Sequence, residues 1–417
     1  MPAGGPTAGT TARPRLTERH VLALGLLASG TLVGAAGGTA AATVVAGGSP
    51  WAAIHLALAG AATVAIGTFM PHFAVTLAGT RPRPAIERLA GIGLLGIGAT
   101  AVVAGVLALG GWLTGAGSLA MLAGLGIVAL ETLDPLRDPL ARRHHVVTAS
   151  YGAALLMLAA SVVLGGLGAI GWPPATAAWA QLRPAHAWLG LFGAVSLTIF
   201  ATLVYLAPTV LGARIRASRW LFAGAAGMLL GPIATAAGFG LGSRPLVLAG
   251  MAVVLSGAIG QLGYVVDVVR RRGPFSSEHD WRRVSWVHLG AGATWFAAAV
   301  AVAAGAVVLG APVRGWSIGL LAIPTVAGWM LQELIGSWTH LVPSVTPGAA
   351  ADHARQRRLL AIASRTRLIA LNLGVAVAWV GAWAGIGPVA VAGAALIGAT
   401  AFVSLVLLAR ALTAARY

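Results

Sequence analysis

Residues 193–214 read GAVSLTIFATLVYLAPTVLGAR, and the same kind of stretch occurs twice more. Residues 60–81 read GAATVAIGTFMPHFAVTLAGTR, and residues 328–349 read GWMLQELIGSWTHLVPSVTPGA. Laid together without gaps, Gly60, Gly193 and Gly328 coincide, as do His72, Tyr205 and His340, then Thr76, Thr209 and Ser344. Arg81 and Arg214 end the first two copies, and Pro208 matches Pro343. The offsets are 133 and 135 residues, close to a third of the chain. Helices rich in Gly, Ala, Leu and Val resemble one another by composition alone, but here polar positions align as well. A long fixed period in a membrane chain points to repeats around an axis along the membrane normal, with sites near the repeat interface.

Composition assigns the membrane. The chain is 58% hydrophobic and 9% charged, with mean hydropathy +0.87, a balance that belongs to polytopic membrane proteins. It has no cysteine, which excludes disulfides, thiolate metal sites and iron–sulfur clusters. Any metal must therefore use His, carboxylate, Met or Tyr. The net charge of +17 is carried by arginine in the connecting segments, so it reports topology rather than a nucleic-acid partner.

Twelve apolar spans are expected near 20–47, 51–78, 86–111, 114–133, 146–172, 184–211, 218–242, 245–270, 284–311, 316–345, 364–385 and 389–414. Each is long enough to cross about 30 Å of hydrocarbon. Residues 1–19, rich in Pro, Gly, Thr and Arg, read as a disordered tail, and 20–417 as a single transmembrane domain. Of the 27 arginines, all but Arg183, Arg244 and Arg314 fall in the two tails or the even-to-odd loops. The positive-inside rule then places both termini in the cytoplasm of a bacterial inner-membrane protein. Grouping the helices in fours gives repeats near 20–133, 146–270 and 284–414, with helices two, six and ten as equivalents that each carry the recurring stretch.

Ionisable groups inside a span are costly and mark function. Those at membrane depth are His55, His72, His186, His288 and His340, with Glu333 the one carboxylate well inside a span. His55 and His186 lie a few residues in from the arginine-poor ends of helices two and six, at similar depth on equivalent helices. Two neutral imidazoles there suit haem iron, copper or zinc. They also suit interfacial histidines bonded to backbone or headgroups. His72 lies 17 residues after His55, roughly 25 Å further along the helix, so the two cannot share one ion. At that inner level His72, Tyr205, His340 and His288 form a second candidate cluster, with Glu333 two helical turns before His340. It reads as a second metal site, a proton or ion path, or a structural polar network. Pro71, Pro208 and Pro343 are expected to kink or end the recurring helices.

At WAAIHLALAGAATVAIGTFMPHFAVTL, RPAHAWLGLFGAVSLTIFATLVYLAPTVLGARI and QELIGSWTHLVPSVTPG the chain resembles twelve-helix bacterial membrane proteins sometimes labelled copper oxidase. These form the membrane part of copper nitrite reductase-like fusions. More distantly it is similar to the NnrS family and to subunit I of haem–copper oxidases. The resemblance implies an all-α, pseudo-threefold 4+4+4 fold, haem b and/or copper as cofactor, and a redox partner or cupredoxin protein. It places His55 at the helix-two histidine that oxidases use for haem and His186 at a helix-six histidine that they use for copper. Two departures argue against oxygen reduction. The seventh span has no histidine, and the tenth has none in its outer half. The leading expectation is a haem- and/or copper-binding membrane protein for electron transfer or for handling nitric oxide or copper. The competing ones are a proton-coupled permease using Glu333, His340, His72 and Tyr205, and an assembly partner without cofactor.

Overall fold

The computed structural model describes residues 16–46, 48–137, 145–272, 280–346 and 348–414. Residues 1–15 of the expected tail, and His144 and His279 of the loops, lie outside the described residues. Among those described, all regular structure is helical and there is no strand. Eleven helices are long and apolar enough to cross a membrane. They are α1 (Glu18–Ala46), α2 (Trp51–Ala78), α3 (Ala85–Ala108), α4 (Gly111–Leu133), α5 (His145–Ala169), α6 (Trp179–Leu211), α7 (Arg219–Leu241), α8 (Arg244–Arg270), α9 (Asp280–Val308), α12 (Ser364–Trp383) and α13 (Gly387–Thr413). Between α9 and α12 run a more polar continuous helix over 323–345, called α10, and the short polar α11 (Ala350–Ala361).

Most boundaries fall within a few residues of those expected. The tenth helix starts later, at 323, because the segment before it turns through Gly315 (φ 75°) and Gly319 (φ 32°) and Pro324 then sits in the first helical turn. Helix α6 starts earlier, at Trp179, with Pro184 inside it. The three prolines of the recurring stretch also lie inside their helices. Helices α2 and α6 end instead at Gly79 and Gly212, both left-handed, the usual glycine stop.

Helices α2 and α6 are the most enclosed of the spans, with 72% and 78% of their windows buried against 28–50% for the others. Nearly every residue of 328–345 on α10 is buried as well. These three therefore form the inner layer and the remainder face lipid. In each third of the chain the last two spans make the most extensive pairing, α3 on α4, α7 on α8 and α12 on α13. Small residues permit it. A Cβ on Gly98 would lie 2.7 Å from the Gly117 carbonyl, and one on Gly227 would lie 2.4 Å from the Gly257 Cα. Close backbone approach is what holds helices together where lipid is as apolar as leucine.

Each inner helix also contains a π-helical segment, in which the backbone bonds close five residues on and one extra residue is accommodated. These segments are Leu56–Ala62, Trp188–Val195 and Ile323–Met330. Their last residues, 62, 195 and 330, are separated by the same 133 and 135 as the sequence repeat. At the exit from the first two, Thr63 and Ser196 donate hydroxyl bonds back to the carbonyls of Gly60 and Gly193 at 3.1 and 3.2 Å.

Candidate functional site

The imidazoles of His55 and His186, from α2 and α6, stand with ring centroids 6.2 Å apart and planes inclined by only 6°. Each ring is fixed from behind by a backbone carbonyl. His55 Nδ1 donates to the Trp51 carbonyl at 2.8 Å, and the Trp51 ring stacks on His55 at 4.1 Å. His186 Nδ1 donates to the Ser161 carbonyl on α5 at 2.8 Å. The Ser161 hydroxyl donates to the His186 carbonyl at 3.0 Å and also lies 3.0 Å from His186 Nδ1, so both the backbone and the side chain of Ser161 tie α5 to this residue. With Nδ1 carrying the proton, Nε2 is the basic nitrogen on both rings, and neither Nε2 has a hydrogen-bond partner among the described residues. A carbonyl-anchored imidazole with a free Nε2 is the usual form of a metal-ligating histidine.

The spacing fits one shared ion. Two imidazoles bound through Nε2 to one ion at about 2.0–2.1 Å, with ring centroids roughly 1.1 Å behind, would have centroids no more than about 6.3 Å apart, and these parallel rings at 6.2 Å fall within that limit. The donor set fits haem iron or copper, both of which imidazole suits. Ser161 was not anticipated. It is the one polar side chain of α5 beyond Tyr151, which is the signal that would have found it.

Below this pair the core is aromatic. Trp188 stacks on Phe192 at 4.2 Å, and Phe296 lies 4.4 Å from Trp329. These rings are buried completely or nearly so. Beneath them lies a cavity of about 90 Å³ lined by α2, α6 and α10. Its wall takes residues from three helices at one register. Ala65, Thr198 and Glu333 form one layer, and Phe69, Thr202 and Ser337 form the next, each triplet spaced by 133 and 135 residues. The cavity contains polar groups only on the α6 and α10 sides of these layers.

Two of the inner residues expected to act together, His72 and His288, have partners of their own. His72 Nδ1 bonds the Glu18 carboxylate at 2.9 Å. Arg88 also contacts Glu18 and pairs with Glu131 at 2.6 Å, so one side chain from each of α1 to α4 enters a single charged clamp. Beside it Arg83 bonds Asp134 at 2.6 Å, and that carboxylate holds the guanidinium above its already high ordinary pKa. His288 on α9 is buried and lies 3.2 Å from Gln332, which continues through Asn372 to Trp295. His340 and Tyr205 are buried on α10 and α6. Among the described residues no group of three or more His, Asp and Glu side chains is arranged to hold a metal ion.

Comparison with models of known protein families finds none that matches this chain, and no curated protein matches it.

Proposed function

We propose that the chain is a haem- or copper-binding membrane protein for electron transfer, with His55 and His186 as its ligand pair. The observation that carries this reading is the parallel pair itself. Two parallel imidazoles at 6.2 Å, each anchored through Nδ1 to a backbone carbonyl, leave two Nε2 lone pairs for one ion. Carbonyl anchoring keeps each ring in the basic tautomer and limits its rotation, which raises ligand quality at no cost in added charge. Haem b or copper held there would supply a one-electron couple. Were haem the group held, two histidine ligands would leave its iron no vacant position for a substrate, which favours electron transfer over ligand activation. Handling of nitric oxide or copper draws on the same two residues.

The wider architecture in this proposal has twelve spans, α10 included, in three groups of four. The matched π segments, the matched third-to-fourth helix pairings and the common register of the cavity wall support it. The arginine-rich ends face the cytoplasm, both termini included, and the His pair lies toward the opposite face of an inner membrane. A redox partner or cupredoxin would approach from that face.

The absorbance spectrum and metal content of protein purified from cells supplied with haem precursor and copper test the reading. A Soret band, or about one copper per chain, lost in both His55→Ala and His186→Ala is the expected result. Colourless, metal-free wild-type protein overturns it.

A further inference from the structure

Glu333 presents a charge problem that the His pair does not solve. It is 96% enclosed, lies in the middle of an inner helix, and its Oε1 has no hydrogen-bond partner among the described residues. Among the described residues no guanidinium pairs with it. An isolated carboxylate in such surroundings costs many kcal/mol, so it must carry a neutralising positive charge. The register supplies a second, independent observation. Thr198 occupies the equivalent position on α6, is 6% exposed, and its hydroxyl is likewise buried without a partner. Both residues line the same cavity, with Thr202 and Ser337 one turn below. Unanswered polar groups around a cavity of about 90 Å³ provide the conditions under which water is retained, since a single water needs only about 10–15 Å³ and two to four polar contacts.

We infer that Glu333, with the hydroxyls of Thr198, Thr202 and Ser337, forms a hydrated proton-binding site at the axis of the three inner helices, separate from the His55–His186 pair. The neutralising charge is a proton rather than a metal cation because the wall offers one carboxylate and three hydroxyls among otherwise apolar side chains. Hard metal cations want six or more oxygens. The bound form is the carboxylic acid, in which one proton joins one carboxylate oxygen and the net charge at the site is zero. Proton exchange runs toward the arginine-rich end, where the cavity wall continues to Phe73, Leu206 and Leu341. Each of these adjoins a titratable neighbour in sequence, His72, Tyr205 and His340. The other titratable and charged groups on the surrounding helices include His288 and Arg282 on α9, Arg357 on α11, Arg367 on α12, Tyr264 on α8, which donates to the Val204 carbonyl at 2.8 Å, Tyr151 on α5, which bonds Thr202 at 3.0 Å, and the clamp of Glu18, Arg88 and Glu131 beyond His72. None of them is paired with Glu333.

Infrared difference spectroscopy of the full chain in lipid nanodiscs decides the matter. At neutral pH the wild-type protein is expected to show the C=O stretch of a protonated carboxylic acid that shifts in D₂O. That band should vanish in Glu333→Gln, persist in Glu131→Gln, and move in Thr198→Val. It should be indifferent to sodium and potassium chloride. Wild-type protein with no such band at neutral pH, or a band that converts to the carboxylate signature when sodium is added, overturns the inference. Should Glu333→Gln fail to fold, the wild-type titration and the band position in Glu333→Asp give the same decision.

Discussion

At Gly165 on α5 a single added carbon would lie 2.7 Å from Cε1 and 2.9 Å from Nδ1 of His186. Both are ring atoms held by the Ser161 carbonyl, so the imidazole cannot swing aside cheaply as a flexible chain end could. Gly165→Ala is therefore expected to lower haem or copper content by the 10- to 100-fold typical of lost ligand support, although it removes no ligand. Ser161→Ala should do less. It deletes the hydroxyl's contacts with the His186 carbonyl and with Nδ1 but leaves the backbone carbonyl that anchors Nδ1. Titration of purified apo-protein with haem or copper ranks the two, and equal affinities in wild type and Gly165→Ala would show that His186 is not a ligand. Legibility at this scale was uneven. Position alone brought His55 and His186 to light, because ionisable residues are rare at membrane depth. Their anchors are backbone carbonyls, which no side-chain pattern records.

Among the elements, the π segments are the feature that hydropathy could not disclose. A helix with i+5 bonding buries the same apolar residues as one with i+4 bonding, so Leu56–Ala62 reads as ordinary span. The three copies could be aligned by Gly60, Gly193 and Gly328, but nothing in those letters announces an extra residue. The charged clamp was hidden for a related reason. Glu18, His72, Arg88 and Glu131 are far apart in sequence and meet only because four helices end together. Deleting Ala59 should return α2 to regular α-helix, rotating Trp51 and His55 by about 100° and drawing them about 1.5 Å toward the core. His55 then leaves His186, and the cofactor spectrum should be lost while far-ultraviolet circular dichroism stays helical. Retention of the spectrum would show that the π segment does not set the ligand geometry. For the clamp, Arg88→Leu strands the buried Glu131 carboxylate and should destabilise the protein by about 3–5 kcal/mol. Replacing both Arg88 and Glu131 by Leu should cost less than the single change, as measured by thermal unfolding in detergent.

For the whole molecule, the decisive property is the segregation of arginine between the two ends of the helix bundle. Connections at one end carry Arg183, Arg244 and Arg314, and the remaining arginines lie at the other end or in the tails. Two of the three minority residues are bound into that end. Arg183 donates to the Gly315 carbonyl at 2.7 Å, and Arg244 caps the last carbonyls of α9 at Val307 and Val308. Used in this way, they close helix and loop ends and add little to the charge that orients insertion. In the proposed topology the orientation is thus set by the opposite end, whose side chains are expected to stay with the cytoplasmic leaflet. Because the chain has no cysteine of its own, it can report this directly through single introduced thiols. Ser49→Cys and Ser243→Cys lie in the short connections α1–α2 and α7–α8 and should react in intact cells with a membrane-impermeant maleimide. Ser218→Cys, at the start of α7 on the arginine-rich end, should react only after the membrane is opened. This alternation also tests α10 as a span. Gly310→Cys, just after α9, should label from outside, whereas Gly348→Cys, just after α10, should not. Labelling of both from one side would make 323–345 re-entrant, shift α12 and α13 by one crossing, and break the equivalence of α2, α6 and α10 on which the threefold reading stands.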